Sequence, residues 1–290
     1  MEVFQNRQPR MTTADFAHAA TELRALDRDR FLSTLILTGP HRDAIVALYA
    51  FNADVAAIRD RVSAPAPGEI RLQWWNDALE GQGHGAVRQN PIAAALLDTI
   101  AAYNIPIGTL QRLLGARRFD LYDDPMPDLS SFEGYAGETA STLYQLAAMI
   151  LNNGELIETG DAAGHLGVAH ALIGHLRAFG YTASQGRIML PWSIFAANGV
   201  VEREIFSGTQ SEALHAALGQ FTDLAREHLA KAETAVALKP APLRPAFALI
   251  AVLKAQLALL ERQSNPFTPA PDDPDWRKLT RLAWWSLRNR

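Results

Sequence analysis

Apolar residues along the chain recur at helical rather than strand spacing. In "LYAFNADVAAIRD", Leu48, Phe51, Val55, Ile58 and Val62 fall every three to four positions and make one face of a helix. Alternating runs of Val, Ile and Thr bounded by turn residues, the signature of strands, are lacking, so the pattern predicts an all-α protein. Thr13 or Asp15 can cap a first helix, and "DRDRFLSTLIL" gives a second that ends at Gly39-Pro40. Residues 41–63 form a third, closed by "SAPAPGE", and "IRLQWWNDALEG" a fourth that stops in the glycine run 81–85. Helices are also expected over 90–103, 106–121, 131–152, 158–179, 191–206, 210–239 and 242–262, with the proline-broken loop "DDPMPDLSS" ahead of residue 131. No repeat and no long Pro/Gly/Ser linker divides the chain, which predicts one domain over residues 1–290.

The last stretch exceeds what a core requires. In "WRKLTRLAWWSLRNR", Trp276, Leu279, Leu282 or Ala283, and Leu287 can share a face, with Trp284 and Trp285 nearby. Arg277, Lys278, Arg281, Arg288 and Arg290 supply five positive charges. A basic, tryptophan-rich helix over 274–290 suits a membrane interface or an acidic partner surface, or packs its tryptophans onto the domain.

Composition narrows the chemistry. The chain has 290 residues, 48% of them hydrophobic, and a formal charge of −4, so nucleic acid is not an expected partner. It has no cysteine, which excludes disulfides, thiolate metal sites and cysteine nucleophiles. No apolar run is expected to reach the roughly 20 residues of a membrane-spanning helix, and the N-terminus reads as the start of a mature cytosolic chain. The eight histidines form no His-Glu-x-x-His pattern. His165, His170 and His175 are five apart, which suits hydrogen-bonded helix or pocket histidines better than a ligand set. Asp54 reads as a solvated charge beside Arg59 and Arg61, and Asp272, Asp273 and Asp275 as caps of the last helix.

Three segments in order resemble the squalene/phytoene synthase family. They are "HRDAIVALYAF", then "LLGARRFDL" with "FEGYAGETAS", then "GVAHALIGHLRAFGYTASQGRIMLP". The resemblance implies the isoprenoid synthase fold, a single all-α bundle around a central cavity. In that family two aspartate-rich helices face each other and hold Mg²⁺ against substrate diphosphates, because carboxylates three or four residues apart share a helical face. Carried over, the first cluster falls on Ala56, Ala57 and Asp60, and the second on Ala178 and Thr182, so one acid of five remains. The matched motifs leave a residual pocket of Arg42, Tyr49, Asn52, Asp60, Tyr135, His170, Arg177 and Arg187. Arg42, Arg177 and Arg187 could together hold a phosphate or lipid head group without metal, or else Arg42 and Arg187 buttress helix ends.

One branch of the family departs in the same way, the relatives of a mitochondrial complex I assembly factor that carries a squalene/phytoene synthase domain. "AFNADVAAIRDRVS", "GEIRLQWWNDALE" and "GHLRAFGYTASQGRIMLP" fit that branch. The resemblance then implies a pseudoenzyme with no cofactor, engaging a membrane surface or a complex I assembly client, in the cytoplasm or peripherally at the inner membrane (the matrix side for a eukaryotic relative). A rival reading is a divergent head-to-head prenyl transferase that keeps Tyr49, Asp60, Arg177 and Arg187, recruits Asp54 or Glu138, and uses Mg²⁺. A third is a carrier of an isoprenoid or phospholipid.

Overall fold

The computed structural model describes residues 13–83 and 86–289; the expected chain start, part of the glycine run and Arg290 lie outside the described residues. Among the described residues there is no strand. The chain opens with α1 (Thr13–Leu26) and α2 (Arg28–Thr34), and Asp27 caps α2 by accepting the Arg30 amide at 3.0 Å. Gly39-Pro40 begins α3 (Gly39–Ala56) rather than ending α2. Gly39 has φ +61°, which a glycine adopts freely, and Pro40 suits a first helical turn, where an amide would have no partner.

α3 is nearly continuous core: Ala44 through Ala53 are all buried, as befits a helix that is apolar on every side. It stops seven residues short of the expected end, and Arg59–Arg61 form a separate 3₁₀ turn. Then come α4 (Pro65–Leu79), α5 (Pro91–Tyr103) and α6 (Ile107–Arg117), the last continued by a 3₁₀ turn to Leu121. Asn90 caps α5 by accepting the amides of Ile92 and Ala93.

The expected helix 131–152 is three pieces: α7 (Leu129–Ala136), a π-helical turn Gly137–Ser141, and α8 (Thr142–Leu151). α9 (Gly160–Arg177) crosses that turn so closely that a Cβ on Gly167 would lie 2.0 Å from Ser141 Oγ and 2.5 Å from its backbone nitrogen. Gly167→Ala is therefore expected to destabilise the protein by about 1–3 kcal/mol in denaturant titration. A neutral outcome would show that the two helices can part there.

α10 (Phe179–Ser184) follows a break at Ala178. Residues 191–206 divide into α11 (Trp192–Ala197) and α12 (Glu202–Phe206), because Gly199 at φ +79° turns the chain between them. α13 (Glu212–Ala237) is the longest helix and packs along α9. The expected helix 242–262 starts as a 3₁₀ segment, Ala241–Phe247, around Pro245, which offers no amide to a helical ladder, and continues as α14 (Ile250–Leu260).

Contrary to the sequence expectation, Ala241–Leu260 is long and apolar enough to cross a membrane by length and composition. In the fold, 56% of its apolar window is buried, with contacts to α8, α9 and α13, as in a core helix. The last helix, α15 (Asp275–Arg288), docks on α2 and α14. Buried residues from α1 to α15 join one contiguous apolar core.

Candidate functional site

Polar side chains converge where α2, α3, α6, α7, α8 and α9 meet. Arg30, buried at the start of α2, pairs with Asp27 at 2.6 Å and lies over the Tyr49 ring at 5.7 Å. His170 on α9 receives Tyr144 Oη at 2.7 Å and Arg30 Nη2 at 3.5 Å, both on Nδ1. An arginine can only donate, so Nδ1 is the acceptor, and Tyr144 donates its hydroxyl. Burial, with Arg30, Arg177 and Arg117 adding to it, holds the His170 pKa well below its ordinary value, so the ring is neutral. Burial pushes the Tyr49 phenol up to about 12 against the pull of Arg30.

A second knot sits beside it. Arg117 donates to Asp120 at 3.0 Å, to Tyr135 Oη at 2.8 Å and to Asn52 Oδ1 at 3.2 Å, while Tyr135 donates to Asp120 at 2.7 Å. His175 meets the Phe132 ring edge to face and the Tyr135 ring at a tilt, with centroids 5.8 and 6.3 Å away. Arg117, Asp120, Tyr135 and Asn52 are bonded to one another, His175 makes only ring contacts, and Arg117 Nε is buried without a hydrogen-bond partner.

The structure thus brings together Tyr49, Asn52, Tyr135 and His170 from the expected pocket. Arg187 is placed elsewhere, and Arg177, though near enough to act on His170, gives its guanidinium to carboxylates outside the two knots. Arg177, at the end of α9, meets Asp29 at 3.5 Å and Asp272 at 3.2 Å, and Lys278 from α15 bonds the same two carboxylates at 2.6 Å each. Arg187 reaches Asp60 at 3.6 Å, and Tyr181 donates to the same oxygen at 3.4 Å. Arg42 sits two turns before Tyr49 on α3, half-buried, with no hydrogen bond or ion pair to a described residue.

The aspartate positions do not fit magnesium. Ala56 ends α3, Ala57 caps it, and Ala178 breaks α9 from α10, so three positions present only methyl groups. The Thr182 hydroxyl donates to the carbonyls of Ala178 and Phe179, and Asp60 is already matched by Arg187. Asp54 binds Arg61 at 2.6 Å and Trp75 Nε1 at 3.2 Å; Glu138 binds Arg112 at 3.3 Å. Among the described residues no group of three or more metal-ligating side chains assembles, whereas Mg²⁺ requires several oxygens in octahedral array.

Two expectations about charged residues are corrected. Lys278, grouped with the outward tail residues, is buried, because Asp29 and Asp272 draw it in; burial opposes its charge, but those carboxylates raise its pKa overall. Asp272, Asp273 and Asp275 do not cap α15, whose N-cap position is Pro274, with no side-chain cap; they bond Lys278 and Arg177, Arg277 and Arg281, and Arg28 respectively. Sequence reasoning missed Arg30, Arg117, Asp120 and Tyr144 as partners in the centre. The available signal was opposite charge three residues apart at an apolar helix end, in "DRDR" and "RRFD".

The all-α bundle, with Asp60 meeting Tyr181 and Arg187 where the two aspartate segments approach, has the isoprenoid synthase fold. A crystal structure of a dehydrosqualene synthase superposes with a TM-score of 0.81 over 95% of this chain and 96% of that one, at 19% identity. The squalene/phytoene synthase family model matches residues 23–284, and the chain belongs to that family. Human NADH dehydrogenase (ubiquinone) complex I, assembly factor 6, is 28% identical over 240 residues, covering 83% of this chain and 72% of its own length. The 15-cis-phytoene synthase of Synechococcus elongatus is 24% identical over 302 residues, covering 97% and 96%.

Proposed function

We propose that this chain is a non-catalytic member of the squalene/phytoene synthase family that assists assembly of the NADH:quinone oxidoreductase at the inner face of a membrane. One observation carries the loss of catalysis: the aspartate positions hold Ala56, Ala57, Ala178 and a self-bonded Thr182, and the remaining Asp60 faces Arg187. A lone carboxylate, already facing an arginine at 3.6 Å, offers too few of the oxygens that Mg²⁺ needs to bridge it to a diphosphate. The central polar groups then act as structure: the neutral His170 and the Arg30 and Arg117 knots lock α2, α6 and α7 onto α3 and α9. Likeness to assembly factor 6 supports the client.

The purified protein is expected to consume neither farnesyl nor geranylgeranyl diphosphate, with or without Mg²⁺, in a product assay by mass spectrometry. Deleting its gene from the native host is expected to lower assembled NADH:quinone oxidoreductase on native gels. Magnesium-dependent turnover would reinstate the transferase reading. Normal enzyme levels in the deletion strain would remove the assembly role.

A further inference from the structure

We propose that the outward face of α15 is a preformed docking surface for an anionic lipid bilayer. The proposal rests on this helix alone and stands whether or not the central site is catalytic. α15 presents two unlike faces. Inward, Leu282 is fully buried and Lys278 is tied to Asp29 and Asp272, so the helix is fixed on the domain. Outward, Trp276, Trp284 and Leu287 are 62%, 63% and 58% exposed. Large apolar side chains are rarely left this open together on one short helix unless something covers them.

Their arrangement identifies the occupant. At 3.6 residues per turn, Trp276, Leu287, Thr280 and Trp284 fall within an arc of about 80°, and Arg277, Arg288 and Arg281 continue it over about 60° more. The apolar stripe runs about 16 Å along the axis, from Trp276 to Leu287. A stripe of tryptophan and leucine edged by arginines matches the boundary of a bilayer, with rings at acyl-chain level and guanidinium groups among phosphates.

Charge complementarity selects anionic lipid. The whole chain carries −4, yet the outward side of α15 presents Arg277, Arg281 and Arg288 against Asp273 alone. Arg277 and Arg281 share the single carboxylate of Asp273, and Arg288 has no ion pair among the described residues. Beside the stripe, a groove of about 720 Å³ opens between α15 and the pair α13 and α14, lined by Arg281, Arg288, Trp284 and Trp285 above Val236 and Ile250. The one acid in it, Glu233, is paired with Lys254 at 2.7 Å, so the groove is basic at its rim and apolar at its floor.

The test is co-sedimentation of the full chain with vesicles of phosphatidylcholine alone and with vesicles one third phosphatidylglycerol. Binding to the anionic vesicles is expected, weakening as salt is raised, with a blue shift of tryptophan fluorescence. The double variant Trp276→Ala/Trp284→Ala is expected to bind at least about tenfold more weakly, and Arg277→Gln/Arg288→Gln about fivefold more weakly per charge removed. All four side chains are exposed, so circular dichroism should show both variants folded as the parent. No binding of the parent to anionic vesicles, or unchanged binding by both variants, overturns the proposal. So does a dimer in light scattering that dissociates in the tryptophan variant while vesicle binding is absent, since the face would then join two copies of the chain.

Discussion

Lys278→Met is expected to cost about 3 kcal/mol of folding stability, the low end of what removing one partner from a buried ion cluster costs. Lys278 and Arg177 together balance Asp29 and Asp272, and Gln256 donates to Asp29 at 2.6 Å. Methionine keeps the volume of the lysine stem but leaves two carboxylates on one guanidinium. Asp272 retains some water, which moderates the loss. About 3 kcal/mol should lower the melting temperature by roughly 6–10 °C, and Trp276→Ala, on the outer face of the same helix, should lie within about 0.5 kcal/mol of the parent. Adding Asp272→Asn should restore part of the loss, because the neutral amide no longer calls for a second cation. If Lys278→Met proves as mild as Trp276→Ala, the cluster does not hold α15 to the domain.

This cluster also marks where sequence reading stopped. The helical period of "LYAFNADVAAIRD" identified α3 as core, and the methyl groups at positions 56, 57 and 178 showed the aspartate pattern broken. Both features are local and depend only on residue type and spacing. The partners of Asp29 are Arg177, Gln256 and Lys278, drawn from three helices up to 249 residues away. No periodicity connects them. Lys278 looked like a surface charge because five basic residues lay together in the tail, and only the docked helix shows which of them turns inward. Helix ends are hard to place from sequence for a simpler reason. Gly39-Pro40 is equally good punctuation for a stop and for a start, and Asn198-Gly199 ended a helix that the apolar period alone would have carried on.

Stability should fall steeply between pH 6.5 and 5, well before most carboxylates titrate. His175 is pushed down to about 4, first by burial and then by Arg117, with Asp120 opposing. Burial and three arginines hold His170 well below its ordinary value, and burial with His165 lowers His228 in the same sense. An unfolded histidine takes its proton near 6.5. Between that pH and the depressed folded value, the unfolded chain binds the proton and the folded one does not, so stability rises with pH and is lost as pH falls. For His175 alone the loss reaches about 2 kcal/mol at pH 5 and about 3 kcal/mol once pH passes below 4, and His170 adds a loss of the same sign. Against a total of about 5–15 kcal/mol for a folded protein, the urea midpoint should drop clearly from pH 7 to pH 5. His175→Gln should flatten that slope, since glutamine has no proton to gain. Equal midpoints at the two pH values would mean that the centre admits charge on its histidines, and with it the water or anion needed to stabilise that charge.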